Sequence, residues 1–565
     1  MVDYSRLQNG SDVRGVALPL VASEPVNLTE EAAGQIAQAF AAWLAERCGR
    51  PAAELKVAVG RDSRLSGPSL QRTVLTGLTA MGAVAADCGM ASTPAMFMAT
   101  VLPDCDFDGA VMITASHLPQ NRNGLKFFTK AGGLESADIK ELLRRAAEGP
   151  EAARLHGRLT SFDILTPYTA MLRQCIITGV QGGERPLTGM KIAVDAGNGA
   201  GGFYATRVLA PLGADVSASV YLEPDGSFPN HVPNPENKEA MESLRSAVLA
   251  GGCDLGLIFD TDVDRAGAVQ ADGTELGRNR LIALAAAIAA EQAPHSTIVT
   301  DSVTSDQLTG FIEQKLGCRH HRFKRGYKNV INEAIRLNKA GETCLLAMET
   351  SGHGAWQENY FLDDGAYLAT KIVIRYAQLR RQGRTLADLL EGMREPLEAR
   401  ELRFHLLPED FKAAGAAVLN IIGTVQPLKA CHNDNAVAGQ LTLDTLGVQT
   451  LDARLGVGAV GVEAGLPTGQ ADGRNAQLLQ RHGQQRDRYL LTGRQQHIHL
   501  AVGRIRGDLG RLGDQIIGGI ALRRNNNNDI IAGVAGIHDN ACHIEDAVPV
   551  FDRGAAEFLY DQAHW

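Results

Sequence analysis

Three carboxylates, Asp260, Asp262 and Asp264, stand at alternate positions just past the apolar run Leu255–Phe259. Such a spacing turns all three toward one side of a loop, where they repel one another and call for a cation. Mg2+ fits: a hard ion that takes oxygen ligands and keeps one position for a phosphoryl oxygen. An EF-hand is excluded, because Arg265 stands where that loop needs glycine and Ala271 where it needs glutamate. The plain alternative is a solvated acidic turn, which an apolar strand directly in front argues against. The loop is expected at the surface.

A second set begins with Thr114-Ala115-Ser116-His117, directly after the apolar strand Gly109–Ile113. Asn121, Asn123, Gly124 and Lys126 follow, then the apolar pair Phe127 and Phe128. A serine just past a buried strand lies at the sheet's C-terminal edge, with Gly124 letting the loop fold back over it. His117 and Lys126 can polarise its hydroxyl and neutralise a phosphoryl group placed there. Taken alone, Ser-His reads better as a capped turn. A third set, Glu349, Ser351 and His353, has the spacing of a loop that grips polyol hydroxyls, with His353 as proton carrier. A capped loop is an equal reading of it. Lys324, Arg325, Tyr327 and Lys328 form a short basic turn able to hold phosphate, although most such runs are solvated faces. Ser11-Asp12-Val13-Arg14-Gly15 is a small polar turn, uninformative by itself.

Two patterns compete. Gly197-Asn198-Gly199-Ala200-Gly201-Gly202 fits G-x-G-x-x-G with Glu223 downstream, as a dinucleotide fold has, but the motif is short and the chain rich in glycine. Residues 259–263 also fit the haloacid-dehalogenase pattern, with Asp260 as the phosphorylated nucleophile. That motif normally opens its domain, and it leaves the third carboxylate and Arg265 unexplained.

The elements that must carry these loops repeat one rhythm of amphipathic helix, β-branched strand and polar loop. Helices are expected at 30–47, 278–290 and 305–315, and strands at 56–59, 109–113, 190–194, 255–259, 297–299 and 344–347. Alternation of this kind implies α/β domains, mostly parallel, with sites at strand C-terminal ends. A chain of 565 residues at ~100–200 per domain has room for three or four. With 45% apolar and 21% charged residues it reads as globular, and a net charge of −9 argues against nucleic acid or an anionic membrane as partner. The nine cysteines never fall in C-x-x-C, which suits reduced thiols in a cytosol and no zinc site. Charges within the first twenty residues exclude a signal peptide there, and the longest apolar run, 281–290, is half of the ~20 residues a membrane span needs. A soluble, cytoplasmic protein is expected. After about residue 420 the character changes: residues 421–565 hold no serine, one lysine (Lys429), twenty glycines and seven of the fifteen histidines. That reads as a shifted or foreign reading frame, or a low-complexity tail.

Taken in order and spacing, the Ser116, Asp260/Asp262/Asp264 and Glu349/Ser351/His353 loops resemble the α-D-phosphohexomutase superfamily, and most its phosphomannomutase/phosphoglucomutase branch. The resemblance runs from about residue 7 to 403 and includes Val59-Gly60-Arg61-Asp62-Ser63-Arg64 and Asp195-Ala196-Gly197-Asn198-Gly199. It implies three consecutive mixed-sheet α/β/α domains around one cleft, at 1–155, 165–275 and 278–395, with 404–565 as an atypical segment in place of a fourth domain. It also implies a phosphoserine at Ser116 that passes its phosphoryl group to a hexose phosphate through a bisphosphate. Mg2+ would lie between Asp260, Asp262, Asp264 and the Ser116 phosphate. Arg14, His117, Lys126 and Arg265 would steady the transferring group, with Glu349 and Ser351 on sugar hydroxyls and His353 moving the proton. Lys324, Tyr327 and Lys328 would help bind substrate. The chain departs from the family pattern at Leu118, Met348, Val303 and Tyr327, and 421–565 contains no Arg/Ser/Thr-rich phosphate clamp. The alternatives are a dehalogenase-type phosphatase or mutase acting through Asp260, and a sugar-phosphate-binding protein weakened by loss of its last domain.

Overall fold

The computed structural model describes residues 2–153 and 156–396, with five short strands beyond them. The chain divides into two compact units. The larger holds Met1–Asp301, Gly310–Phe323 and Tyr327–Met393. In the other, Arg400–Arg403, Ile530–Val534 and Ile520–Arg524 form an antiparallel sheet, and Gly461–Glu463 pairs with His497–His499. The expectations for the 404–565 segment otherwise lie outside the described residues.

Within the larger unit three sheets repeat one local plan. Gly109–Ile113, buried at every position, runs parallel to Lys56–Arg61 on one side. On its other side Arg122–Thr129 returns antiparallel, and Asp12–Val16 pairs antiparallel beyond that. Leu255–Phe259 runs parallel to Ile192–Asp195 and is followed by antiparallel Ala266–Gln270. Cys344–Met348 runs parallel to Thr297–Asp301 and is followed by antiparallel Gly354–Trp356. The sheets are therefore mixed rather than mostly parallel. The reason is the same in each: after the central strand the chain turns back at once, without a crossover helix. All three sequence motifs are the turns of these hairpins.

Helices cover the sheets as the apolar spacing requires. Glu30–Cys48 begins where Thr29 accepts from the Ala32 N–H, ends at left-handed Gly49, and buries Ile36, Phe40 and Leu44. The Phe40 ring packs 4.8 Å from that of Phe127, which ties the helix to the strand bearing Lys126. Gly124 lies within that strand, paired with Arg14, rather than in a loop. After Gly202 the chain makes a short, wide π-type turn, Tyr204–Leu209. Among the described residues no helix is long and apolar enough to cross a membrane.

Candidate active site

The acidic loop is buried, contrary to its expected surface position: Asp260 and Asp262 are wholly inaccessible and Asp264 is 4% exposed. The cover comes from segments distant in sequence. Thr93 donates its hydroxyl to Asp262 Oδ2 (2.5 Å) and its N–H to the Asp262 carbonyl (2.9 Å). Lys126 Nζ bridges Asp262 Oδ2 at 3.0 Å and Asp264 Oδ2 at 2.6 Å. Beneath, the glycine-rich loop packs so closely that a Cβ on Gly199 would stand 2.8 Å from both Cα and O of Thr261. The glycines of 197–202 thus serve close packing rather than a dinucleotide.

Val263 takes a left-handed φ of 68°, rare for a β-branched residue, within the turn that gathers the three carboxylates. One oxygen of each lies within 4.8 Å of the others. Burial, then the charges of Asp264 and Asp262, push the Asp260 carboxyl well above its ordinary range. Burial acts the same way on Asp264, but Lys126, His353 and Arg265 outweigh it and hold that group low. Asp262 Oδ1 and Asp264 Oδ1 are buried with no hydrogen-bond partner. An all-oxygen set with two orphaned atoms fits a hard divalent cation.

Ser116 leaves its strand with φ 53°, a strained value for a residue with a side chain, and donates its N–H to Thr114 Oγ1 (2.8 Å). Its Oγ donates to Asp260 Oδ2 at 3.1 Å and lies 3.2 Å from His117 Nδ1. Ser116 is 1% exposed.

Arg265 stands between two imidazoles, with Nε donating to His353 Nε2 (3.2 Å) and NH2 2.7 Å from His117 Nδ1. Burial, followed by the Arg265 charge, depresses the pKa of both histidines, that of His117 furthest. Both are therefore neutral near pH 7. The hydrogen-bond pattern assigns the proton of His353 to Nδ1, toward Ser351 Oγ at 2.8 Å, and Ser351 in turn donates to Glu349 Oε2 at 3.3 Å. Nε2 is left as the basic atom.

Of the remaining expected residues, Tyr327 stacks on His353 (ring centroids 5.5 Å, 23° between planes) and its hydroxyl lies 3.1 Å from Ser11 Oγ. Arg14 pairs with Asp12 at 3.0 Å and donates to the Ala115 carbonyl at 3.4 Å, just behind Ser116. Lys328 has its amine bonded to Gly133 O (2.6 Å) and Glu135 (3.1 Å), and it lines one cavity with Lys126, Asp264, Tyr327 and Asp363. Lys324 belongs to the other unit. The sequence reading missed Thr93 and Asp363. Asp363 lies 3.5 Å from His353 Nε2, buried, with neither oxygen hydrogen-bonded, and burial and then Asp264 raise its pKa well above normal. The pair Asp363-Asp364 was the available signal, but it does not say which of the two faces the site. Asp364 instead caps the helix Gly365–Arg381 through the Tyr367 N–H and accepts from Tyr168.

Models of phosphoglucomutase/phosphomannomutase α/β/α domains I, II and III match residues 5–153, 167–273 and 277–396. A phosphoglucomutase of Neisseria gonorrhoeae is 32% identical over 397 residues, 70% of this chain and 79% of that one. The chain belongs to the phosphoglucomutase/phosphomannomutase family. A phosphomannomutase/phosphoglucomutase of Pseudomonas aeruginosa is 35% identical over 326 residues, covering 58% of this chain and 66% of its own. A crystal structure of a phosphoglucomutase/phosphomannomutase family protein from Burkholderia thailandensis superposes with a TM-score of 0.61 at 26% identity, over 77% of this chain and 87% of that one. As a member of this family the protein is a phosphohexomutase, an intramolecular phosphotransferase. The dehalogenase-type alternative is not favoured by these matches.

Proposed function

We propose that the protein interconverts hexose 1-phosphate and hexose 6-phosphate, of glucose or mannose, with Ser116 as the phosphoryl carrier and a 1,6-bisphosphate as intermediate. The observation that carries this reading is the Ser116 hydroxyl 3.1 Å from Asp260, buried among the acidic loop, Lys126 and Arg265. Asp260, Asp262 and Asp264, with an oxygen at Ser116, would hold Mg2+, which supplies neutralisation of phosphoryl oxygens. Glu349 and Ser351 grip sugar hydroxyls, and Arg14 and Tyr327 shape the site around the substrate. A sugar hydroxyl attacks the phosphorus of phosphoserine, its proton passing to His353 Nε2 in place of the hydrogen bond from Arg265 Nε, as the P–Oγ bond breaks. Lys126 and Arg265 balance the charge left on Ser116 Oγ. With the bisphosphate turned round, Ser116 Oγ attacks its other phosphorus and the departing sugar oxygen recovers the proton from His353. The loose phosphoryl transition state asks for this placement and charge balance more than for covalent help. The seven described cysteines are all free thiols, which supports a reducing, cytoplasmic setting.

The test is the phosphoenzyme. Label transferred from a hexose 1,6-bisphosphate should be acid-stable, as serine esters are, and absent from Ser116→Ala. Label that persists in Ser116→Ala and disappears in Asp260→Asn would instead mark an aspartyl phosphate and sink the proposal.

A further inference from the structure

The motif Val59–Arg64 helped to place the family, yet its last residue has no part in the chemistry above. Arg64 is wholly buried, and its two terminal nitrogens donate to four backbone carbonyls. NH1 reaches Pro119 O at 2.7 Å and Arg122 O at 3.0 Å, and NH2 reaches Ser116 O at 2.5 Å and Leu118 O at 2.6 Å. Four terminal N–H groups thus meet four carbonyls, three from the turn that carries Ser116 and one from Arg122, where the return strand begins. Asp62 Oδ2 lies 3.4 Å behind Nε. The Phe228 ring lies 5.6 Å from the guanidinium carbon. Beside it Gly226 is pressed on the 63–65 backbone, where a Cβ would come within 2.4 Å of Ser63 O and 2.5 Å of Leu65 N.

We infer that Arg64 is a positioning residue for phosphoryl transfer, one that sets where Ser116 Oγ stands against Asp260. The turn has to hold Ser116 at φ 53°, which its own sequence does not favour. Fixing the Ser116 carbonyl from behind fixes the peptide plane after Ser116, and with it the direction of the side chain. The carbonyls of Leu118, Pro119 and Arg122 pin the rest of the turn to the same planar group. Lysine cannot replace it, since one ammonium has three hydrogens and no fork. The Gly226–Phe228 segment closes over Arg64, so the carrier turn is braced by the domain that bears the acidic loop.

This inference rests on Ser116 being the carrier, and the experiment separates the two. Single-turnover phosphorylation by a hexose 1,6-bisphosphate and steady-state kinetics are measured on wild type, Ser116→Ala, Arg64→Lys, Arg64→Ala and Gly226→Ala. Arg64→Lys should lose ~100-fold in kcat and in phosphorylation rate, the scale of a ~1 Å misplacement, with KM unchanged. Added guanidinium, below denaturing concentration, should restore rate to Arg64→Ala but not to Arg64→Lys, which a loss of folded protein alone would not produce. Gly226→Ala, which touches neither the reacting groups nor the Ser116 turn, should slow phosphorylation in the same direction and decides the matter if the Arg64 variants do not fold. Ser116-dependent labelling at the wild-type rate in Arg64→Lys, or in Gly226→Ala should Arg64→Lys not fold, overturns the inference alone. Labelling that survives in Ser116→Ala overturns the function proposed above.

Discussion

Replacing Lys126 by methionine tests the electrostatics of the acidic loop most directly. The ammonium is 3.0 Å from one carboxylate and 2.6 Å from another, with its side chain 6% exposed. At an effective dielectric of ~20 those distances give about 5–6 kcal/mol of gross attraction per carboxylate. Most of that offsets the desolvation of the three charges, but removing one partner leaves the others buried and uncompensated, at a cost of about 3–5 kcal/mol. In EDTA, the urea midpoint followed by circular dichroism should therefore fall by ~1 M or more. A divalent cation at 100 times its Kd adds ~2.7 kcal/mol to whatever binds it. The variant should bind it more tightly than wild type, because no ammonium competes for the same two carboxylates. The gap between variant and wild type should accordingly narrow when Mg2+ is added. Combining Lys126→Met with Asp264→Asn should also recover part of the loss. If Lys126→Met matches wild type in EDTA, the ammonium is not the loop's counter-charge. If the gap is the same with and without Mg2+, the cation does not bind at this loop.

Two further outcomes follow from the packing behind the site. His231 has Nδ1 on the Val232 carbonyl and Nε2 on both Asp195 oxygens, each at 3.0 Å, so both nitrogens carry hydrogen. Burial disfavours that cation, but the Asp195 bond and charge outweigh it and raise the pKa. Its stabilisation is complete below the unfolded value of ~6.5 and is lost as pH rises through the elevated native value. The unfolding gap between wild type and His231→Gln should thus shrink upward from about pH 6.5, and a gap constant to pH 9 would count against the ion pair. Gly199→Ala forces a methyl to 2.8 Å from the Thr261 backbone. A loss of about 1–3 kcal/mol is expected, with weaker cation binding by calorimetry, and unchanged affinity would show that the two loops are not mechanically linked.

The central strands were legible because their residues are apolar without interruption: Gly109–Ile113 and Leu255–Phe259 lie where the apolar runs put them. The chemistry-bearing turns were legible for the same reason, each following such a run. The burial of the acidic loop was not, since its cover comes from Thr93 and Lys126, about 170 and 136 residues upstream. Periodicity reports which face of an element is apolar, and it carries no information on what a distant loop places over a charge. The antiparallel return strands were missed because Arg122–Thr129 is buried on both faces despite Arg122, Asn123 and Lys126. Its polar residues are satisfied by partners that only the tertiary fold supplies, as Arg122 is by Glu24 at 2.7 Å. Asp363 was hidden for a related reason: the pair Asp363-Asp364 marks the place, but only the tertiary fold sets Asp363 beside His353 and turns Asp364 to its helix.

The three turns are not joined with equal stiffness. Arg265 and His353 form a backbone β-bridge, the Ala266 N–H donates to Gly352 O at 3.2 Å, and the Gly365 N–H donates to Val263 O at 3.0 Å. The acidic loop and the histidine turn are thus sewn together through the main chain. Ser116 meets them through side chains, at Asp260 and by way of His117 at Arg265. In the reaction proposed above, the two turns sewn through the main chain would keep the carboxylates and His353 Nε2 in one register, and the Ser116 turn, tied to them by side chains, is the partner that a change of rotamer releases.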